Sequence, residues 1–123
     1  ELFTAEQISE LEEIITDHEK KTTNEISIVS IKTFEPYENI FDFSIDLANT
    51  WGIGKKEKKN GIIIVFGKQI RKIQIQTGYG LEKKLKDEEA KRIIDFIIVP
   101  EFKNGDYYSG IKKGLLEIIK EIE

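Results

Sequence analysis

Cysteine is absent from this chain of 123 residues, and histidine occurs only once. Without cysteine the protein has no disulfide, no thiolate nucleophile and no zinc–thiolate site. The sequence also lacks a Gly-x-Ser-x-Gly elbow, a Walker A loop and a His-Glu-x-x-His zinc motif. Any hydrolytic chemistry would therefore depend on carboxylates and a metal ion.

A surplus of basic charge is lacking as well. Nineteen lysine and arginine residues stand against twenty-three aspartate and glutamate residues, which gives a net charge of -4. Binding to a phosphate backbone usually requires a basic surface. The composition therefore argues against nucleic acid as a partner.

Long hydrophobic runs are missing too. The longest apolar runs, "GIIIVFG" and "IIDFIIVP", are much shorter than the roughly 18 to 20 residues that cross a bilayer. We expect any membrane attachment to come from segments outside this chain. Methionine is absent and the chain begins at Glu1, so we expect a processed product or an excised part of a longer protein.

The patterns that are present predict helices around a small sheet. A capping box of Thr4 and Gln7 starts a helix predicted over about residues 4–20. Residues 25–31 form a strand with apolar residues on both faces, which predicts a central position. A helix that Gly52 can end follows Pro36, and the apolar run 61–67 predicts a strand buried between two helical layers.

The rest of the chain predicts one more strand and two helices. Residues 72–77 alternate, with Ile73 and Ile75 inward and Lys72, Gln74 and Gln76 outward, so this strand should have one wet face or lie at an edge. One helix begins at Asp87, as its N-cap, and stops at Pro100; the next begins at Asp106 as N-cap, with Gly110 and Gly114 allowing close packing. Strands one and two should be parallel and strand three antiparallel to strand two. We predict a single α/β domain over residues 1–123.

This topology predicts that three segments meet at one edge of the sheet. They are the start of strand one, the loop into strand two and the loop out of strand three. The oxygen-bearing candidates are Glu25, Asn60, Glu82 and Asp87, and such ligands suit Ca²⁺ or Mg²⁺ better than zinc. Lysines of the middle loop, Lys55 and Lys56 foremost, could hold a phosphate beside the metal. As catalytic carboxylates we name Asp87 and Glu82.

Structural explanations compete with each of these assignments. Asp87 could serve only as a helix cap, and the carboxylates of Glu25 and Glu82 could be solvated. The lysine loop could be solvated in the same way, and Asn60 with Gly61 could form only a turn. Tyr79 can be a packed ring between two backbone turns. His18 lies on the apolar stripe of its helix, where a core role is favoured over catalysis.

Three blocks of sequence, "ANTWGIGKKEKKNGIIIVFG", "RKIQIQTGYGLEKKLKDEEA" and "VPEFKNGDYYSGIKKGL", resemble in order and spacing the signature blocks of the TPM-domain family. The resemblance covers nearly the whole chain. It implies a Rossmann-like, three-layer α/β/α sandwich around a small mixed sheet. Family members often have an aspartate before the Asn-Gly pair, whereas this chain has Lys59, which removes a candidate ligand.

The resemblance also implies a function and a location. Members bind Ca²⁺ or related divalent ions in their loops, and a plant member of the thylakoid lumen is described as an acid phosphatase. Many members carry a signal peptide and a transmembrane helix outside the domain, which implies an extracytoplasmic or periplasmic address. We therefore expect a cation-binding domain with weak phosphatase activity on a phosphorylated small molecule. The alternative is a non-catalytic module that docks a cell-envelope protein.

Overall fold

The computed structural model describes residues 2–51 and 60–123. The chain divides into two compact units. One unit comprises Thr23–Glu82, and the other comprises Glu1–Thr22 together with Lys83–Glu123. The prediction of a single domain over residues 1–123 stays a prediction.

The first unit contains a three-stranded mixed sheet. Its strands are β1 (Glu25–Ser30), β2 (Gly61–Gly67) and β3 (Lys72–Thr77), in the spatial order β1-β2-β3. β1 and β2 pair in parallel, and β2 and β3 pair as an antiparallel hairpin. The predicted α/β class and strand topology are confirmed.

The prediction that β1 is central is wrong, because β1 forms an edge of this sheet and β2 lies in the middle. Apolar residues on both faces of β1 suggested a central position, but most of them are only half-buried, Ile26 being the buried exception. The central strand β2 is far more buried than β1. Its residues Ile62–Phe66 are all 0% exposed on both faces, as expected for a continuous apolar run.

One face of the sheet carries helix α2 (Ile40–Trp51). Ile40 packs with Ile63 and Val65 of β2, and half-buried apolar residues of α2 surround this cluster. Gln76 and Gln74 of β3 lie opposite Ile63 and Val65 in the strand register, so both glutamines are on the α2 face. Of the two predicted alternatives for β3, a wet face or an edge position, the edge position is confirmed. The face of Gln76 is not wet, because Gln76 Nε2 donates a 2.9 Å hydrogen bond to the buried Ser44 Oγ of α2.

The second unit is helical. It contains α1 (Ala5–Thr22), α3 (Asp87–Ile93), a π-helical turn (Ile94–Ile98), α4 (Val99–Lys103) and α5 (Tyr107–Ile122). The predicted capping box of α1 is confirmed. The backbone amide of Gln7 donates to Thr4 Oγ1 at 3.1 Å, and the backbone amide of Thr4 donates to Gln7 Oε1 at 3.0 Å. Among the described residues, no helix is long and apolar enough to cross a membrane.

One predicted helix end and one predicted cap in this unit are wrong. Pro100 does not stop the helix but lies in the first turn of α4, because the preceding turn is widened and the Val99 amide donates to Ile94 O, five residues back. A widened turn makes room for a residue that has no amide hydrogen. The helix α3 begins at Asp87, as predicted, but Asp87 is not its N-cap. The capping position belongs to Lys86, whose side chain makes no capping bond.

Helices α1 and α5 run parallel within this unit. The rings of Phe3 and Tyr108 meet edge to face with centroids 5.8 Å apart. Farther along both helices, Lys112 Nζ lies 3.1 Å from Glu10 Oε1. The contact of Glu10 with Lys112 lies C-terminal to the contact of Phe3 with Tyr108 in both segments, so the two helices run in the same direction.

The close approach predicted for the two glycines of α5 is confirmed. A Cβ built on Gly114 would lie 2.5 Å from Ile98 Cδ1, and one built on Gly110 would lie 3.0 Å from the Ile98 backbone oxygen and 2.8 Å from the Phe102 ring. Any larger residue would push the π-helical turn and α4 away from α5.

Candidate functional site at one end of the sheet

The start of β1, the start of β2 and the end of β3 lie together at one end of the sheet. The Glu25 amide donates to Asn60 O at 3.1 Å, and the Gly78 amide donates to Gly61 O at 2.7 Å. Glu25 and Gly61 are also partners in the parallel register. Three segments far apart in sequence are therefore tied to one another by backbone hydrogen bonds.

Asn60 is held inside this end of the sheet. Its residue is 5% exposed, and its Nδ2 donates to Thr23 Oγ1 at 3.0 Å. A buried amide is expected to be hydrogen-bonded in this way. In this side chain the amide oxygen, Oδ1, is the atom whose chemistry suits a hard cation.

Thr23 is a residue of this site that the sequence analysis missed. Its φ is +67°, a left-handed conformation that is unusual for a β-branched residue. Such a conformation persists only where surrounding contacts hold it, and the hydrogen bond from Asn60 is one of those contacts. A glycine would have signalled this turn in the sequence, but a threonine gives no such signal.

The two candidate glutamates of this unit, Glu25 and Glu82, differ in exposure. Glu25 is half-buried at the start of β1, whereas Glu82 is exposed directly after a 3₁₀ turn over Tyr79–Leu81. Leu81 anchors the turn, being 3% exposed. The interpretation of Tyr79 as a packed ring is wrong, because this residue is 73% exposed.

The remaining predicted site residues are Asp87, Lys55 and Lys56. Asp87 belongs to the helical unit, where it is exposed in the first turn of α3 beside Glu88 and Glu89. Lys55 and Lys56 lie outside the described residues. The structure thus brings together Glu25 and Asn60, and it adds Thr23 to them.

The donor chemistry of this end of the sheet suits a hard cation, since carboxylate and amide oxygens are the ligands of Ca²⁺ and Mg²⁺. A closed cage of carboxylates is not formed by the side chains of residues 2–51 and 60–123. In that part of the chain, no group of three or more His, Cys, Asp or Glu residues is placed to hold a metal ion. A cation there would need backbone carbonyls, water or a ligand's own oxygens to complete its coordination.

His18 lies in α1 of the helical unit. It is 4% exposed, and its Nε2 lies 3.3 Å from Thr22 Oγ1, which itself donates to His18 O at 2.8 Å. Burial lowers the pKa of His18; the negative charge of Glu123 opposes this shift and the positive charge of Lys21 adds to it. A buried, neutral imidazole agrees with the core role favoured by the sequence.

Comparison with known proteins gives one family and a consistent fold. Residues 1–121 match the family model described as the TPM domain. The chain is similar to the N-terminal domain of a P. gingivalis protein solved by NMR, with a TM-score of 0.88, 28% identity, and coverage of 98% of this chain and 76% of that chain. Among curated proteins, none matches this sequence.

A second solved structure supports the fold alone. This is the NMR structure of the BA42 protein from the psychrophilic bacterium Bizionia argentinensis, which is 23% identical, with a TM-score of 0.84 and coverage of 99% of this chain and 82% of that chain. The same fold is therefore adopted by a sequence of low identity to this chain.

Proposed function

Because this chain belongs to the TPM-domain family, we propose that it binds a divalent cation, Ca²⁺ or Mg²⁺, at the end of the sheet where β1 begins. The proposed ligands are oxygens of Glu25, Asn60, Glu82 and Asp87. Because no three carboxylates of the described residues are already placed to hold an ion, the cation itself would have to draw these side chains together. We further propose that the bound cation supports weak hydrolysis of phosphomonoesters.

One observation carries this proposal: backbone hydrogen bonds join Glu25 to Asn60 and Gly61 to Gly78. These bonds fix the main chain at two of the proposed ligands, Glu25 and Asn60. A third, Glu82, follows only four residues after Gly78. A preformed main chain reduces the ordering that a cation would otherwise have to impose. The hydrogen bond from Asn60 to Thr23 restricts the amide in the same way.

The proposed chemistry divides between the cation and the chain. A bound divalent cation supplies a Lewis acid that polarises a phosphoryl oxygen. The carboxylate of Glu82 or Asp87 would accept a proton from the attacking water, and both residues are exposed. Lys55 and Lys56 are proposed to hold the phosphate by charge, which is the usual role of lysine at phosphates.

Cation binding is tested first, without any substrate. Ca²⁺ and Mg²⁺ are titrated separately into isotopically labelled protein while amide shifts are followed residue by residue. We expect saturable shifts centred on residues 24–25, 60–61 and 78–88. Glu82→Gln and Asp87→Asn should each weaken the affinity by about tenfold, because charge count at the ligands sets Ca²⁺ affinity.

Glu13→Gln serves as the matched control, since Glu13 is an exposed glutamate of α1 and is not among the proposed ligands. Its affinity should equal that of the parent protein. Shifts confined to other regions, or an affinity unchanged in both Glu82→Gln and Asp87→Asn, would refute the site.

Hydrolysis is tested separately with a generic aryl phosphomonoester, with and without the cation. We expect cation-dependent turnover in the parent protein and a strong reduction in Asp87→Asn. Equal rates in the two proteins, or no turnover, would remove the enzymatic part of the proposal and leave cation binding untouched.

A second candidate function, the docking of a cell-envelope protein, is favoured by the exposure of Tyr79, which is 73% exposed and lies one residue after Gly78. Tyrosine is enriched at protein interfaces. A photo-crosslinking residue at position 79 in cells would capture one defined extracytoplasmic partner if this function is correct. The same residue at position 13 provides the background, and equal patterns at both positions would exclude docking through Tyr79.

A further inference from the structure

Two Asn-Gly pairs, Asn60–Gly61 and Asn104–Gly105, occur in the chain, and the structure places them in opposite environments. The first pair is buried in the sheet, with Asn60 5% exposed. In the second pair, both residues are exposed between α4 and α5. A reaction of the main chain at Asn60 therefore requires a much larger local opening of the fold than the same reaction at Asn104.

From this contrast we propose that Asn104 is a site of spontaneous deamidation and isoaspartate formation, and that the fold protects Asn60 from the same reaction. Glycine after asparagine favours this chemistry because its missing Cβ leaves the backbone nitrogen open to approach. The only other reactant is water.

The reaction begins when hydroxide removes the proton from the Gly105 amide. The backbone nitrogen then attacks Cγ of Asn104, a new N–Cγ bond forms, and the Cγ–Nδ2 bond breaks. The nitrogen that leaves takes a proton from water and departs as ammonia. Water next adds to one of the two carbonyls of the succinimide ring; opening at Cγ gives aspartate, and opening at the main-chain carbonyl gives isoaspartate.

The turn around Gly105 is a Schellman cap that must open for this reaction. The Gly105 amide donates to Phe102 O at 2.9 Å, and the Asp106 amide donates to Glu101 O at 2.9 Å. These are the two bonds of that motif, and Gly105 has the left-handed φ of +81° that it requires. An exposed cap of this kind opens by local fraying, at far lower cost than global unfolding.

Asn60 would need a much larger opening. Its Nδ2 is bonded to Thr23 Oγ1 and its carbonyl accepts from the Glu25 amide. Gly61 pairs with Glu25 on one side, and its carbonyl accepts from the Gly78 amide on the other. The attacking nitrogen and the target carbon can rearrange only when both neighbouring strands separate from β2.

The two sites can be compared in one sample, because trypsin cuts after Lys59 and Lys103 and releases peptides 60–68 and 104–112, each beginning with Asn-Gly. The folded protein is incubated at mildly alkaline pH, and its peptides are scored for the mass increase of one nominal unit. A sample digested at time zero gives the background from the digestion. We expect Asn104 to convert at least about tenfold faster than Asn60, as the difference between local and sheet opening requires.

Incubation in a denaturant provides the internal control. Without the fold the two Asn-Gly pairs should convert at similar rates, which shows that the difference in the native protein comes from structure. Equal native rates, or a native Asn104 rate below that of Asn60, would overturn the proposal. An absence of native conversion at Asn104 while the denatured chain converts would overturn it as well.

A variant pair separates the two products. Asn104→Gln should abolish the mass increase in peptide 104–112 and leave peptide 60–68 unchanged. Asn104→Asp carries the new charge without the extra main-chain methylene of isoaspartate. If isoaspartate forms, the aged protein should lose amide-exchange protection at Gly105 and Asp106, whereas Asn104→Asp should retain it; equal protection in both would show that isoaspartate does not form.

Discussion

Gln76 donates a hydrogen bond from Nε2 to Ser44 Oγ at 2.9 Å, and this bond joins strand β3 to helix α2. Ser44 is 0% exposed, and its Oγ also donates a 2.8 Å hydrogen bond to Phe41 O. A hydrogen bond to a buried hydroxyl contributes little net stability when intact, but it is costly to break on one side.

The first prediction follows from that asymmetry. Ser44→Ala should lower the free energy of unfolding by about 1–3 kcal/mol, because the Gln76 amide loses its buried partner. Adding Gln76→Leu should restore part of this loss. Gln74→Leu is the control, since Gln74 lies on the same face of β3. Chemical denaturation of the parent protein, Ser44→Ala, the double variant and Gln74→Leu gives the four free energies of unfolding. A double variant that is no more stable than Ser44→Ala would contradict the prediction.

Asp106 gives a prediction about pH. Its Oδ1 accepts a 3.0 Å hydrogen bond from the Ser109 amide, and hydrogen bonds from Ser109, with a smaller effect of the Lys113 charge, lower the pKa of Asp106. The stabilisation is present above the carboxyl's unfolded pKa, near 4. It is lost as the pH falls through the lower folded pKa.

Asp106→Asn keeps a side-chain oxygen for the cap but does not titrate. The stability difference between the parent protein and this variant should therefore shrink as the pH falls from neutral to strongly acidic values. Thermal melting at a series of pH values measures this difference. A difference that stays constant with pH would show that ionisation of Asp106 is unimportant for the cap.

Gly114 provides a test of helix packing. Gly114→Ala would place a methyl group 2.5 Å from Ile98 Cδ1 and 2.6 Å from Ile98 Cγ1. Overpacking costs about 1–3 kcal/mol, and the gain in helix propensity offsets at most about 1 kcal/mol. We expect a net loss of unfolding free energy, measured by denaturant titration.

In the background of Ile98→Ala, the atoms that would clash are gone. There the Gly114→Ala substitution should become neutral or stabilising, as the helix propensity alone would dictate. An equal loss in both backgrounds would mean that contact with Ile98 is not the reason for glycine at this position.

His18 gives the second prediction about pH. Burial lowers its folded-state pKa, so the folded protein prefers the neutral imidazole. This stabilisation is complete above the unfolded pKa of about 6.5. It falls with pH below that value, until the folded pKa is reached and no further loss occurs.

His18→Gln removes this dependence. Between about pH 7 and pH 5, the parent protein should lose more stability than the variant, since only the parent can bind a proton at position 18. Denaturant titrations at these two pH values measure the difference. Parallel losses in both proteins would assign the pH dependence to other groups.

The local rules of the sequence were reliable where a single short-range interaction decides the outcome. The capping box of Thr4 and Gln7 and the N-cap of Asp106 formed as predicted, because each is made within one helical turn. The run 61–67 is the buried strand that its composition predicts. Element types also fixed the parallel and antiparallel pairings, since a crossover and a hairpin each allow one sense.

The errors arose where distant parts of the chain decide. Pro100 lies within a helical segment because a widened turn precedes it, and no local pattern announces that turn. Alternation along β3 separated its two faces correctly, but it did not show that the face of Gln76 is covered by α2. The left-handed Thr23 depends on contacts such as the one from Asn60, thirty-seven residues away.

By itself, then, the sequence determined the elements, the strand pairing and the family, because hydrophobic periodicity, helix caps and connection lengths are local and additive. Only the tertiary structure decided which strand is central, which polar groups are buried, and that Thr23 supports Asn60. Those outcomes depend on burial and on hydrogen bonds between segments far apart in the chain, and only the assembled fold brings such segments together.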